Sequence, residues 1–198
     1  MYRTNKITLF VAARDTGKTT YTKQVIASHP KKVLIVDTED HPMYREFELV
    51  DIERLKYWQK GTKRIITNLN RVKADAELLS AYLSNCLVIF EDATKYLCQN
   101  TPRNVFSLVY NSKQKNVDVF MIYHGFKNIP PELLSNIDYL TLGYVKENIK
   151  RYENKIPNFD IVYALHESLR KANQANPVTR EGDNKQPLYA IRKTIQVN

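Results

Sequence analysis

Six continuously apolar runs recur along the chain: ITLFVAA (7–13), KVLIVD (32–37), RIITN (64–68), CLVIFED (86–92), VDVFMIYH (117–124) and DYLTLG (138–143). A strand with one wet face alternates apolar and polar residues, so runs without alternation suit strands covered on both faces of a parallel sheet. The segments between them carry helical spacing. Residues 18–28 follow the first run, and in 71–84 the residues Val72, Ala76, Leu79 and Leu83 share one face behind Asn70, a suitable N-cap. Another helix is predicted from near Pro102 through RNVFSLVYNSKQK, with Arg103 at its start and Lys113 and Lys115 at its end. Strands alternating with helices predict a wound α/β fold, a mainly parallel sheet flanked by helices.

The pattern changes after Gly143. A polar stretch leads to a helix starting near Pro157, with Ile161, Leu165 and Leu169 as its apolar stripe; then come a polar loop and a final strand-like run, LYAIRKTI (188–195). Residues 144–198 read as an elaboration on a core of 5–143, within a single domain covering 1–198. The 198 residues suffice for one well-buried core, and no apolar run approaches the roughly 18 residues of a membrane span. The expectation is a soluble, cytoplasmic protein without an integral membrane segment. Its two cysteines, Cys86 and Cys98, are too few for a disulfide framework and read as reduced. The 30 Lys and Arg against 21 Asp and Glu give a formal charge of +9, which favours a polyanionic partner.

Chemistry enters at the end of the first run. ITLFVAA passes into RDTGKTT and then into the helix-compatible YTKQVIAS, so Ala12-x-x-x-x-Gly17-Lys18-Thr19 lies in the strand–loop–helix context of a phosphate-binding loop. Successive N–H groups from Ala13 to Thr16 form an anion-binding concavity closed by a helix N-terminus, and Gly17 lets backbone approach phosphate. Lys18 reaches the β- and γ-phosphates, while Thr19, followed by Thr20 in the first helical turn, offers its hydroxyl to Mg²⁺. Arg14 and Asp15 either touch phosphate or base or face solvent. Ala12 stands where the motif usually has its first glycine.

A second signal is the pair Glu91 and Asp92 ending CLVIFED. A carboxylate at the end of a buried strand adjacent to the phosphate loop can hold Mg²⁺, and its neighbour can orient or activate the attacking water. Glu91 is assigned to the metal and Asp92 to the water, with the roles open to exchange because the familiar order is Asp then Glu. Asp37 ends KVLIVD on the side of an α/β sheet where ligands bind, or else caps a turn. His41 lacks a second ligand at metal-binding spacing. His124 ends VDVFMIYH, a strand expected to neighbour the phosphate-loop strand, and is placed to sense the γ-phosphate. Arg103 and Lys113 are the choices for a cation that multimeric NTPases receive from an adjacent subunit; for Lys113, helix-dipole stabilisation explains the position equally well.

These strings, AARDTGKTT, LVIFEDA and VDVFMIYHG, resemble the HerA/FtsK superfamily of DNA-translocating P-loop ATPases over residues 5–143, with His124 where members usually carry Gln. Within it the chain looks most like the genome-packaging ATPases of tailless icosahedral viruses; the zonula-occludens-toxin-like assembly ATPases of filamentous phages are also similar. The resemblance implies a RecA-like or HerA/FtsK-like ATPase domain, ATP and Mg²⁺ as ligands, and a homo-oligomeric ring, expected to be a hexamer. It further implies double-stranded DNA moved through a basic channel, a capsid or vertex protein as docking partner, and a place in host cytoplasm or with the virion. Two other classes remain open. A nucleoside or nucleotide kinase would need an arginine-rich lid to clamp the transferred phosphoryl group, which is not seen after the fifth strand; a nucleotide-gated scaffold would make use of the unexplained tail.

Overall fold

The computed structural model describes residues 5–14, 16–29, 32–67, 73–95, 97–98, 103–175 and 193–197. Asp15, Asn70, Val72, Pro102 and residues 188–192 of the last apolar run lie outside them. The strands are β1 (Ile7–Val11), β2 (Lys32–Asp37), β3 (Glu48–Leu49), β4 (Thr62–Ile66), β5 (Cys86–Phe90), β6 (Val117–Tyr123), β7 (Tyr139–Leu142) and β8 (Lys193–Gln196). The helices are α1 (Lys18–Ser28), α2 (Lys73–Tyr82), α3 (Arg103–Tyr110), α4 (Ser112–Lys115), α5 (Pro131–Leu134) and α6 (Phe159–Ala175). All eight strands share one sheet in the order β3-β4-β2-β5-β6-β1-β7-β8. Every pairing is parallel except β7 with β8. The mainly parallel α/β sheet expected from the apolar runs is therefore present.

Its two faces are sorted by the period-2 alternation of β1. Leu9 and Val11 join the larger core with Ala76, Leu79 and Leu83 from the region of α2, Phe106 and Val109 of α3, and Leu165 and Leu169 of α6. Phe10 and Ala12 point the other way, into a smaller core with Ile26 of α1, Ile35, Ile89 and Ile122. There Tyr21 meets Phe10 edge-on at 5.2 Å between ring centroids. Helix α1 is thus packed directly against the strand that launches the phosphate loop.

The structure departs from the sequence reading at β4, in the helix after Pro102 and on the buried face of α6. β4 starts at Thr62 rather than Arg64, because its first two residues are polar and only partly buried and so escape an apolar run. The helix expected to continue from Pro102 is broken at Asn111 into α3 and α4. Asn111 sits at φ −88°, ψ 3°, in the bridge region, and Asn116 in the left-handed region (φ 54°) then turns the chain into β6. In α6 the buried stripe is Val162, Leu165, His166 and Leu169, whereas Ile161 is 58% exposed. At 3.6 residues per turn Ile161 lies about 90° from the centre of that stripe.

Gly143 explains the alanine in the phosphate motif. β1 pairs with β7 through Val11 and Leu142, so Ala12 and Gly143 follow side by side. A Cβ added at Gly143 would lie 2.7 Å from the Ala12 methyl. Gly143→Ala should therefore lower stability by about 1–3 kcal/mol and weaken nucleotide binding through the displaced loop, which thermal melting and a fluorescent-nucleotide titration would measure.

Candidate active site

The parallel strands bring four carboxyl ends to one rim. The β1 loop, β2, β5 and β6 there surround a cavity of about 460 Å³. It gathers Arg14, Gly17, Lys18, Thr19 and Thr20 from the loop and α1 with Glu91, Asp92 and His124. The side chain of Asp15 lies outside the described residues. As the sequence reading expected, the strand that ends in His124 neighbours the phosphate-loop strand: β6 pairs with β1 and stands between it and the acidic β5. His124 follows that interposed strand and enters the cavity between the loop and the carboxylates.

Gly17 caps α1 in the left-handed conformation (φ 74°, ψ 21°), which glycine adopts without steric cost. The Ala13 carbonyl accepts hydrogen bonds from the Thr16 hydroxyl at 2.7 Å and from Lys18 Nζ at 2.5 Å. Lys18 is buried, so its ammonium is held inside the loop curve it is expected to share with phosphate. Ala12 N–H donates to the Tyr123 carbonyl at 3.1 Å and Ala13 N–H to that of Tyr144 at 2.8 Å. The loop is therefore suspended from the strands on either side of β1.

Glu91 and Asp92 have different surroundings although they are consecutive. Glu91 Oε2 accepts a 2.8 Å hydrogen bond from the hydroxyl of Tyr44, a buried residue from the β2–β3 connection that the sequence reading missed. Burial pushes the Glu91 carboxyl above its ordinary value, opposed by the Tyr44 hydrogen bond and by the nearby His41 and Lys18. Burial and the Glu91 charge push the Tyr44 phenol up as well, which keeps it an O–H donor.

Asp92 turns away in the left-handed region (φ 46°), a conformation that costs of order 1–3 kcal/mol outside glycine and collects at functional sites. Its Oδ1 lies 3.2 Å from His124 Nε2 and its Oδ2 3.2 Å from Lys95 Nζ. Burial raises the Asp92 carboxyl, but His124 and Lys95 outweigh it and hold the group at about 2. Since the ordinary value is 3.8, this contributes stability above about pH 4 that is lost as the pH falls toward 2. Asp92→Asn should accordingly flatten the fall in melting temperature between pH 4 and 2 relative to the parent protein, as acid thermal scans would show.

Lys95 also pairs with Glu39, joining the turn after β5 to the β2–β3 connection across the mouth of the cavity. Burial lowers the Lys95 ammonium, but Glu39 and Asp92 overcome it and the net displacement is upward. The Asp37 carboxylate caps the turn after β2, accepting Glu39 N–H at 3.0 Å and His41 N–H at 2.7 Å. Its position shapes the cavity wall. His41 Nδ1 in turn accepts Met43 N–H at 3.2 Å. No group of three His, Cys, Asp or Glu residues suited to a metal occurs among the described residues.

The two expected trans-acting cations separate. The backbone of Arg103 opens α3, which descends from the rim; its side chain lies outside the described set. Lys113 sits at the opposite end of β6, where its carbonyl accepts from Asn5 Nδ2 at 2.8 Å. Seven strand residues at about 3.3 Å each put it roughly 20 Å from the cavity of its own chain.

A phosphate loop on a central strand, with an acidic strand end one strand away, defines the P-loop NTPase fold. No protein-family model matches the sequence, and no curated protein matches it. Among solved structures, the chain is similar to the genome packaging NTPase B204 from Sulfolobus turreted icosahedral virus 2. In its sulfate complex the TM-score is 0.67 at 12% identity, covering 100% of this chain and 94% of that one. In its ATP-gammaS complex the values are 0.59 and 13%, covering 90% and 89%. ATPases 2 and 3 of EssC from Geobacillus thermodenitrificans reach 0.52 at 11%, covering 100% of this chain and 39% of that one. The N-terminal domain of zonular occludens toxin from Neisseria meningitidis gives 0.43 at 12%, covering 71% and 78%. The likeness to packaging ATPases read from the motif strings thus extends to the fold of the whole chain. No described helix is long and apolar enough to cross a membrane.

Proposed function

We propose that this chain is a Mg²⁺-dependent ATPase that drives double-stranded DNA into a viral capsid as part of a homo-oligomeric ring, expected to be a hexamer. The observation that carries the reading is the single cavity uniting Lys18, Thr19, Glu91, Asp92 and His124 at the carboxyl rim. The structural likeness to a packaging NTPase over nearly the full length of both chains supports the choice among P-loop functions.

The donor set fits Mg²⁺. Thr19 and Glu91 supply a hydroxyl and a carboxylate, and a hard cation that takes few protein ligands completes its shell from water and phosphate oxygens. When bound, it neutralises charge that develops between the β- and γ-phosphates. Lys18 exchanges the Ala13 carbonyl for phosphate oxygens. Tyr44 holds the Glu91 carboxylate in one orientation. Asp92, held at about 2, is too weak a base to accept a proton near neutrality and instead orients the attacking water. The His124 Nδ1 atom is buried without a hydrogen-bond partner among the described residues, which suits a ring that gains one when the γ-phosphate arrives. Arg103 serves the neighbouring subunit's nucleotide, and a capsid or vertex protein docks the ring.

The test is ATP turnover measured with and without duplex DNA while molecular mass is followed. Stimulation by duplex together with ring assembly is expected. The same slow rate in both conditions from a protein that stays monomeric would overturn the motor reading.

A further inference from the structure

The rim opposite the nucleotide cavity, where the parallel strands begin, carries a row of lysines. Lys60 precedes β4, Lys32 opens β2, Lys115 precedes β6 and Lys6 precedes β1. In the spatial run β4-β2-β5-β6-β1 only β5 lacks one. None of the four ammonium groups has a carboxylate partner among the described residues, and three are held by neutral groups. Lys32 Nζ donates to the Trp58 carbonyl at 3.1 Å and lies 4.7 Å from the Trp58 ring centroid. Lys6 lies 5.0 Å from the ring centroid of Tyr139, and Lys115 donates to the Ser80 carbonyl. Such interactions fix the ammonium groups in place without neutralising them.

The acidic residues of this rim are turned inward or aside. Asp118 accepts the Lys6 N–H at 2.8 Å and touches His29, while Asp138 accepts the Ile7 N–H at 2.8 Å. Asp51 and Glu53 line a separate hollow beside β4. Beneath β2 and β4, Lys32, Lys56 and Lys60 line a cavity of about 530 Å³ that has no Asp or Glu in its wall.

We propose that this rim binds the phosphate backbone of duplex DNA, an inference that rests on the reading of the chain as one that handles DNA. Four strand steps of about 4.8 Å span roughly 19 Å. With a nucleotide rise of about 3.4 Å along one strand, the row faces roughly five or six phosphates. Single-strand binders instead present several aromatic faces for successive bases. Here Trp58 is buried, Lys6 covers Tyr139, and among the described aromatic rings of the rim only Tyr57 stands well exposed. The rim therefore offers a row of cations about as long as five or six nucleotides, with little to stack on.

The test is fluorescence anisotropy of a labelled duplex of arbitrary sequence, titrated with the full chain from low to high salt. The salt slope falls by about 0.9 for each phosphate that is no longer neutralised. Lys56→Glu combined with Lys60→Glu should lower affinity at low salt roughly 10- to 100-fold and reduce the slope by about 2. Lys171→Glu, on the exposed face of α6, should change neither. Binding of a fluorescent ATP analogue and thermal melting should match the parent protein in both variants. If the double variant fails to fold, Lys6→Glu carries the same test with an expected slope change of about 1. An unchanged slope in a folded rim variant overturns the proposal and leaves the motor reading standing. A parent protein that binds no duplex defeats the motor reading itself, and preference for single-stranded over duplex DNA overturns the choice of ligand.

Discussion

Lys18→Ala is expected to reduce ATP hydrolysis by about a thousandfold or more, equivalent to about 4 kcal/mol of transition-state stabilisation. Lys18 is the buried cation of the phosphate loop, and its ammonium is already aimed into the loop curve by the Ala13 carbonyl. Truncation removes a charge that acts inside a shielded cavity, where it counts for far more than at an exposed surface. It also relieves the cost of burying that charge, so the melting temperature should move little. Single-turnover hydrolysis and a nucleotide titration on the same preparation would test both halves. A variant within tenfold of the parent rate would remove Lys18, and with it the loop, from the active site.

The second large effect separates the two carboxylates. Asp92→Asn should bind ATP about as tightly as the parent chain yet turn it over roughly 10² to 10³ times more slowly, because the water-orienting charge and its hold on His124 and Lys95 are lost. Glu91→Gln should chiefly raise the Mg²⁺ concentration needed for half-maximal activity. The Tyr44 hydroxyl can still donate to an amide oxygen there, so the fold around it is preserved. If Glu91→Gln gives tight binding with abolished turnover while Asp92→Asn merely shifts the Mg²⁺ requirement, the two roles are reversed.

What was legible in the sequence was what is local. The phosphate loop is nine contiguous residues between a strand and a helix, and Glu91 and Asp92 end an uninterrupted apolar run, so spacing along the chain carried both. The sheet class followed from the same runs. That β6 would neighbour β1 was expected, but the full strand order was not legible, because it is decided by pairings between residues far apart along the chain, such as Ile7 with Val119. The partners that distinguish the carboxylates were hidden for the same reason. Tyr44 comes from a connection with no periodic pattern, and its approach to Glu91 depends on Asp37 folding that connection back through two backbone N–H groups. Lys95 was nearer to hand, three residues beyond Asp92, and the spacing of a tight turn was the available signal. Ile161 was misplaced because a three-residue stripe at i, i+4 and i+8 fits two neighbouring helix faces, and only packing against the sheet selects between them.

The neighbouring pair Ala12 and Gly143 makes the departure from the usual phosphate motif intelligible as an exchange. The crowded spot between β1 and β7 has room for one methyl group. This chain places that methyl on the loop strand and the vacancy across from it, so the small residue the motif normally requires has moved to the adjacent strand. The two positions form one compensating unit: a glycine at 12 would release 143 to carry a side chain, and neither site can be interpreted alone.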